Sequence, residues 1–402
     1  MAEATREAWI TGIGIISCLG EGPQAHWQKL MEAHPGADTK TFAPFVVHPL
    51  APVNFDAQIP KKGDQRQMEN WQRIGTYAAG LALDSAGVKG KPEILSHMDM
   101  IVAAGGGERD LAVDSTILSG IKQSQNPDGF LNERLMSDLR PTLFLAQLSN
   151  LLAGNISIVH GVTGSSRTFM GEEAAGVDAV RIALSRIAAG QSDIALVGGA
   201  HNGERPDLLM LYEFASMALK DRYMPVWERG KAGGFALGSL GAFLVIEARE
   251  HAQARGAKPL ARLTAVVADR ASRQPGTVTA TLSRLWDKLK DKVKTGHIAV
   301  IAGTTGAEPA TAEERAFLSE HSDLAVRATG SYLGHGLEPQ FVMNIALATV
   351  ALGHGSLFPP CDSTGLEQPM SGDLSLGLLE QVLITGVGHW RGEGLALVER
   401  VG

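Results

Sequence analysis

Ten short apolar runs, most of them bounded by glycine, set the strongest limit on how this chain folds. They are Trp9–Ile16, Met100–Ala104, Ile156–His160, Asp193–Gly199, Gly241–Ala248, Leu263–Val267, Ile298–Gly303, Ala325–Ala328, Gln381–Gly388 and Gly394–Val401. Continuous apolar stretches of this length suit strands buried on both faces. Segments with helical periodicity lie between them. Glu173–Ala189 is alanine-rich and stops at Gly190, and Val278–Val293 and Ala310–His321 are amphipathic. Glu338–Leu352 is apolar nearly all round and therefore belongs inside. Strands alternating with helices predict an α/β fold with mainly parallel sheets.

A coarse echo runs through the chain. The helix at 173–189 leads to DIALVGG, an excursion and GAFLVIEA; the helix at 338–352 leads to QVLITGVG, a short loop and GLALVERV. Any α/β protein can show this pattern once. Its recurrence predicts two similar halves, 1–250 and 251–402, joined near Ala254–Pro259, with two sheets sharing a buried helical layer. Polar excursions are expected near 33–69 and 205–229. The 47 glycines among 402 residues exceed the usual ~7 %, which suits tight strand–helix turns and close helix–sheet packing.

Composition excludes several classes. A hydrophobic fraction of 44 % is too high for a disordered chain. Two cysteines make neither a disulfide scaffold nor a multi-cysteine zinc cluster, so a reducing cytoplasm is the expected setting. A net charge of −7 leaves no electrostatic footprint for nucleic acid. The apolar runs are too short to span a bilayer. Met1–Trp9 carries acidic residues and no apolar secretory core, and the C-terminus has no lipidation motif. No membrane insertion is expected.

Individual residues offer little chemistry of their own. Neither Cys18 nor Cys361 lies at a predicted helix N-terminus, so both read as structural. No phosphate-binding G-x-x-x-x-G-K-[ST] loop occurs, and GIGIIS (12–17) lacks the third glycine of a dinucleotide fingerprint. No H-x-x-x-H or H-E-x-x-H pattern offers a metal site. His335 and His389 sit in glycine-flanked loops. Ser165 and Ser166 lack a nucleophile-elbow frame and read as a turn.

Longer segments carry a resemblance. WITGIGIISCLG (9–20) is similar to V-T-G-x-G-x-x-S-x-L-G, the opening of β-ketoacyl-(acyl-carrier-protein) synthases. GSSRTFMGEEAAGVDAVRIALSRIAAGQSDIALVGGA resembles that family's active-site helix and D-x-x-x-x-G-G strand. YMPVWERGKAGGFALGSLGAFLVIEA resembles its P-F-D-x-x-R-x-G-F stretch. AGTTGAEPATAEERA, ATGSYLGH and TGVGHWRGEG take the places of its H-G-T-x-T, T-G-H-x-x-G and G-F-G-G-x-N loops. The resemblance spans nearly the whole chain. It implies the thiolase-like fold of an elongating ketosynthase: an α-β-α-β-α layered sandwich with mixed, mostly parallel sheets.

Departures from the family pattern fall on its catalytic positions. The resemblance places Glu173 where the family has its acyl-accepting cysteine, and Ala302 and Ser331 where it has two histidines. Val326 replaces a supporting lysine and Val387 a gating phenylalanine. A carboxylate cannot form a stable acyl thioester, although it suits the positive end of a helix dipole. Losing even one oxyanion donor typically costs ~10²–10³ in rate. The expectation is a non-condensing subunit of fatty-acid or polyketide elongation, like the chain-length factors and the cysteine-lacking homologue of very-long-chain synthesis that the family contains. It would pair with a catalytic ketosynthase, or with itself, through a strand at Ile156–His160. The alternatives are an acyltransferase or decarboxylase relocated to Glu173, with His335 or His389 as donor, and a protein that binds acyl groups or acyl-carrier protein without turnover. No cofactor is expected, because acyl and malonyl groups would arrive on acyl-carrier protein. Arg222, Arg229 and Lys231 are candidates for docking that acidic partner.

Overall fold

The computed structural model describes residues 6–139, 143–144 and 147–401, so part of the segment read for a leader lies outside the described residues. Its main strands are β1 (Ala8–Ser17), β2 (Asp99–Ala104), β3 (Ser166–Met170), β4 (Ile194–His201), β5 (Leu240–Ala248), β6 (Ala261–Asp269), β7 (Ile298–Ala302), β8 (Ala325–Ala328), β9 (Gln381–Val387) and β10 (Glu393–Glu399). They follow the order β8-β7-β9-β10-β6-β1-β5-β4-β2-β3. Outward from the centre, both sets of five run first, fifth, fourth, second, third. The sets join where β1 meets β6, with Trp9 opposite Arg262 and Ile10 opposite Ala261.

Each set is evenly mixed, which corrects the expected bias toward parallel pairing. β4–β2 and β2–β3 are parallel while β1–β5 and β5–β4 are antiparallel. The second set repeats this, with β9–β7 and β7–β8 parallel and β6–β10 and β10–β9 antiparallel. The cause is connectivity. The β9–β10 connection is a short hairpin and the β4–β5 connection a longer return through the second excursion, and each brings the chain back antiparallel.

Strand alternation builds five layers. In β2, Ile101 and Ala103 face the central core, while Met100, Val102 and Ala104 join the outer core beneath α1 (Asn70–Ser85). In β9, Val382 and Ile384 face the centre, while Leu383 and Val387 face the outer helices α6 (Thr277–Asp287) and α7 (Ala310–Ser319). Between the sheets lie α4 (Glu173–Ala188) and α8 (Gln340–His354), which contact each other and strands of both sets. Val177, Val180, Ala183 and Ile187 of the first pack with Phe341, Val342, Ile345 and Ala346 of the second.

Past α2 (Leu111–Ile121), the expected strand at Ile156–His160 is the end of a helix, α3 (Leu151–His160), closed by Gly161 in the left-handed region at φ 77°. Leu152, Ala153, Ile156 and His160 are buried at helical spacing while Ile158 is exposed, so the alternation a half-buried strand needs is missing. The strand at that edge of the sheet is β3, ten residues later than expected at its start, inside the segment read as a turn. The two polar excursions meet. Val47–His48 pairs with Leu237–Gly238, and Val47, Leu209, Tyr212, Phe235 and Leu337 form a small core beside the α4 N-terminus. Leu209 and Tyr212 lie on α5 (Pro206–Phe214).

Close approach of α1 to β1 rests on glycine. A Cβ on Gly14 would lie 2.0 Å from the Ala78 carbonyl oxygen and 2.4 Å from the Ala82 nitrogen, both backbone atoms that cannot rotate away. Gly14→Ala should therefore destabilise the protein by about 1–3 kcal/mol or more. Gly63→Ala, at an open position, should leave the thermal unfolding midpoint unchanged or slightly raised. Equal midpoints for the two variants would contradict this packing.

Candidate functional site

The first turn of α4 forms one wall of the site. Glu173 is its first residue, and the partial positive charge of the helix end favours a carboxylate there. Only 3 % of Glu173 is exposed. A buried ionised carboxylate is costly unless donors and counter-charge face it, and two loops supply them. His335 Nε2 donates to Glu173 Oε1 at 2.8 Å. His389 Nδ1 lies 3.0 Å from the same oxygen and 3.2 Å from Oε2. An ionised carboxylate only accepts, so both of these ring nitrogens carry the proton.

Each histidine is fixed by its backbone. The His335 N–H donates to the Ala236 carbonyl at 2.8 Å, and its own carbonyl accepts from Gly238 at 2.9 Å. Gln340 of α8 accepts from the Gly336 N–H and donates to Thr329, and Thr329 bonds Asn344 at 2.5 Å, so α8 holds that loop from below. In the β9–β10 hairpin loop, Arg273 donates to the carbonyls of Gly388 and His389 and pairs with Glu393 at 2.7 Å. Gly388 cannot carry a Cβ, which would meet the Arg391 carbonyl at 2.1 Å. Phe235 stacks on the His335 ring at 5.2 Å and meets His389 edge-on at 4.9 Å. This aromatic wall keeps water from the ion pair.

Electrostatics assign the protons. Burial pushes the Glu173 carboxyl up, but the hydrogen bonds and charge of His335 and His389 outweigh it and hold it well below the usual carboxylate range. Burial also lowers His389, yet the Glu173 hydrogen bond and charge prevail and raise it above 6.5. For His335 burial wins and holds the ring below its ordinary value, favouring the neutral imidazole. The cluster thus sets a carboxylate against one imidazole whose charged form is favoured and a second whose neutral form is.

The other positions singled out in the sequence lie elsewhere. Ala302 ends β7, packs in the outer core, and its carbonyl accepts from Asn344 at 3.4 Å. Val326 and Val387 join the same apolar core. Ser331 turns its hydroxyl to the Val226 N–H at 3.0 Å. Burial raises the Cys18 thiol to about 12 and raises Cys361 as well, so neither is a ready thiolate. Arg222 and Lys231 are exposed, but Arg229 is not available for docking. It is buried and donates to the carbonyls of Met224 and Gly234, because the excursion folds inward there. Glu314 carries no motif that would single it out in the sequence. That buried carboxyl bonds Thr385 and is pushed up by burial to about 7. Among the described residues no cluster of three or more His, Cys, Asp or Glu is placed to hold a metal ion, and no helix is long and apolar enough to cross a membrane.

Comparison with known proteins adds the family. Residues 5–252 match the beta-ketoacyl synthase N-terminal domain. The chain is 27 % identical over 270 residues to the 3-oxoacyl-[acyl-carrier-protein] synthase 2 of Vibrio harveyi, a match covering 64 % of this chain and 61 % of that relative. It is 27 % identical over 377 residues to the tetracenomycin polyketide synthase ketoacyl synthase beta subunit of Streptomyces glaucescens, covering 90 % of this chain and 88 % of that one. The solved ishigamide ketosynthase/chain length factor superposes with a TM-score of 0.79 at 19 % identity, over 99 % of this chain and 100 % of that one, which shows a shared thiolase-like fold. With its N-terminal half matched and its layers those of that fold, the chain belongs to the beta-ketoacyl synthase family.

Proposed function

We propose that this protein is a non-condensing ketosynthase-family subunit that works beside a catalytic ketosynthase in fatty-acid or polyketide elongation, with acyl-carrier protein bringing the substrates. One observation carries the reading: the helix N-terminus where the family resemblance puts a nucleophile holds a buried carboxylate whose oxygens are committed to two histidines. Attack by that carboxylate on a thioester would give a hydrolysable mixed anhydride, and the attack would first have to break a buried ion pair. A malonyl carboxylate would meet a like charge in the same place. The Ala302 and Ser331 side chains offer the reaction centre no imidazole. The similarity to a polyketide synthase beta subunit and to a ketosynthase/chain length factor supports a paired role, and the synthase relatives are named for acyl-carrier protein. We read the repeated strand order as a duplication of one half-fold.

A second reading rests on the Glu173–His389 contact. A carboxylate that holds Nδ1 of an imidazole leaves Nε2 as a general acid, so a relocated acyl transfer or decarboxylation is the competing function. Glu173→Ala separates the two readings, because only the second requires turnover to vanish with the carboxylate.

For the first reading, the purified chain alone gives no condensation product from malonyl- and acyl-carrier protein. Co-expressed with a catalytic ketosynthase of the same organism, it co-purifies as a complex that does condense. Normal condensation by the isolated chain contradicts the proposal.

The ion pair has its own signature. In an NMR titration the His389 ring loses its proton above pH 6.5 in the wild type. In Glu173→Gln it titrates below that value, because burial then acts without the carboxylate. A depressed carboxyl contributes stability above its unfolded value of 4.5, and a raised imidazole contributes it below its unfolded value of 6.5. The gap in unfolding midpoint between wild type and Glu173→Gln is therefore widest between those pH values. It narrows above them as His389 deprotonates.

A further inference from the structure

A cavity of about 150 Å³ lies on the far side of the α4 N-terminus, between the end of β4, α5 and the loop that leads into α8. Its walls include Trp71, Glu172, His201, Leu208, Leu337 and Glu338. Three of its polar members, Trp71, His201 and Glu338, have side-chain atoms without a hydrogen-bond partner among the described residues. Trp71 is 3 % exposed and its indole N–H bonds nothing among the described residues. His201 is 6 % exposed and its Nε2 is likewise unpartnered. Glu338, also 6 % exposed, faces His201 Nδ1 at 3.8 Å, which is too long for a hydrogen bond. Arg205 lines the cavity too, but its guanidinium is spent on Asp207 at 2.6 Å and on the Gly107 carbonyl. The cavity therefore presents one buried carboxylate, Glu338, with no cation in hydrogen-bond contact, and ring nitrogens of Trp71 and His201 with no partner; Glu172, a third of whose side chain is exposed, faces Arg391 at 4.0 Å.

Buried polar groups are nearly always satisfied, and a concave apolar-walled site with a few convergent polar groups is the usual form of a small-ligand pocket. We infer that this cavity binds a small primary amine that also carries a hydrogen-bond acceptor two or three carbons away. Its ammonium would sit against the Glu338 carboxylate, and its hydroxyl or carboxylate would accept from the Trp71 indole N–H, with His201 Nε2 as a second contact. An acyl chain does not suit the site, because it would bury Glu338 and Trp71 Nε1 against hydrocarbon. The inference stands on the cavity alone and holds whichever reading of Glu173 is right.

Saturation-transfer NMR and calorimetry on the full-length protein test it with four probes: ethanolamine, β-alanine, n-propylamine and propionate. Ethanolamine or β-alanine should bind, and which of the two is tighter identifies the acceptor as hydroxyl or carboxylate. n-Propylamine should bind more weakly, and propionate not at all. Glu338→Gln should weaken the amine about tenfold or more, as expected for loss of a charge-assisted hydrogen bond. Trp71→Phe should narrow the gap between ethanolamine and n-propylamine, with circular dichroism showing that both variants remain folded. If propionate binds as well as the amines, or if no probe gives transfer with the wild type, the cavity holds only water or a different ligand and the inference is wrong.

Discussion

A helix packed between two sheets has few places to present polar groups to the interior. Nearly all of α8 is buried, and Val177, Val180, Ala183 and Ile187 of α4 pack on apolar side chains, while Arg181 and Ser185 reach the surface on the other side of α4. Polar groups enter the interior at the α4 terminus and from the loops that reach it. At the α4 N-terminus that confinement is severe: the Glu173 carboxylate has no route to solvent and must find its counter-charge inside. The two imidazoles that meet it come from loops 162 and 216 residues away in sequence, each pinned by backbone hydrogen bonds and by a second tier of Gln340, Thr329 and Arg273. The cluster is stable because each partner is held by hydrogen bonds of its own.

On the proposed reading, the same arrangement explains how the fold accommodates a carboxylate where the family resemblance puts a nucleophile. A negative charge at the first residue of a helix is electrostatically welcome, so Glu173 costs the helix nothing. The donors that saturate it make it a poor nucleophile. Val387 and Ala302 fill outer-core positions as ordinary apolar side chains. Nothing in the packing of these positions requires a chemically active residue.

Much of this was legible in the sequence, for identifiable reasons. The strands buried on both faces show as unbroken apolar runs, and the helix at 338–352 was apolar all round because it touches both sheets. Ile156–His160 misled because a short apolar run does not by itself distinguish helix from strand. β3 was missed because it is an edge strand whose side chains are largely exposed, which leaves no apolar signature. α1 carries a capping box, Glu69 with Gln72, that could have marked its start. At the site, Glu173, His335 and His389 could each be singled out, but their meeting could not, since only the loop positions in the folded chain bring them together. The partnerless Trp71, His201 and Glu338 left no pattern at all, because residues so far apart in sequence share no spacing rule.

On the proposed reading, Glu173 stands in the nucleophile's place as an ion pair with His389 and accepts no acyl group. Intact-protein mass spectrometry after incubation with acyl-carrier protein bearing a long acyl chain tests it most directly, with rapid acid quenching to preserve any anhydride. The account predicts an unchanged mass. A mass increase equal to the acyl group, mapped to the peptide that contains Glu173 and absent from Glu173→Gln, would contradict it.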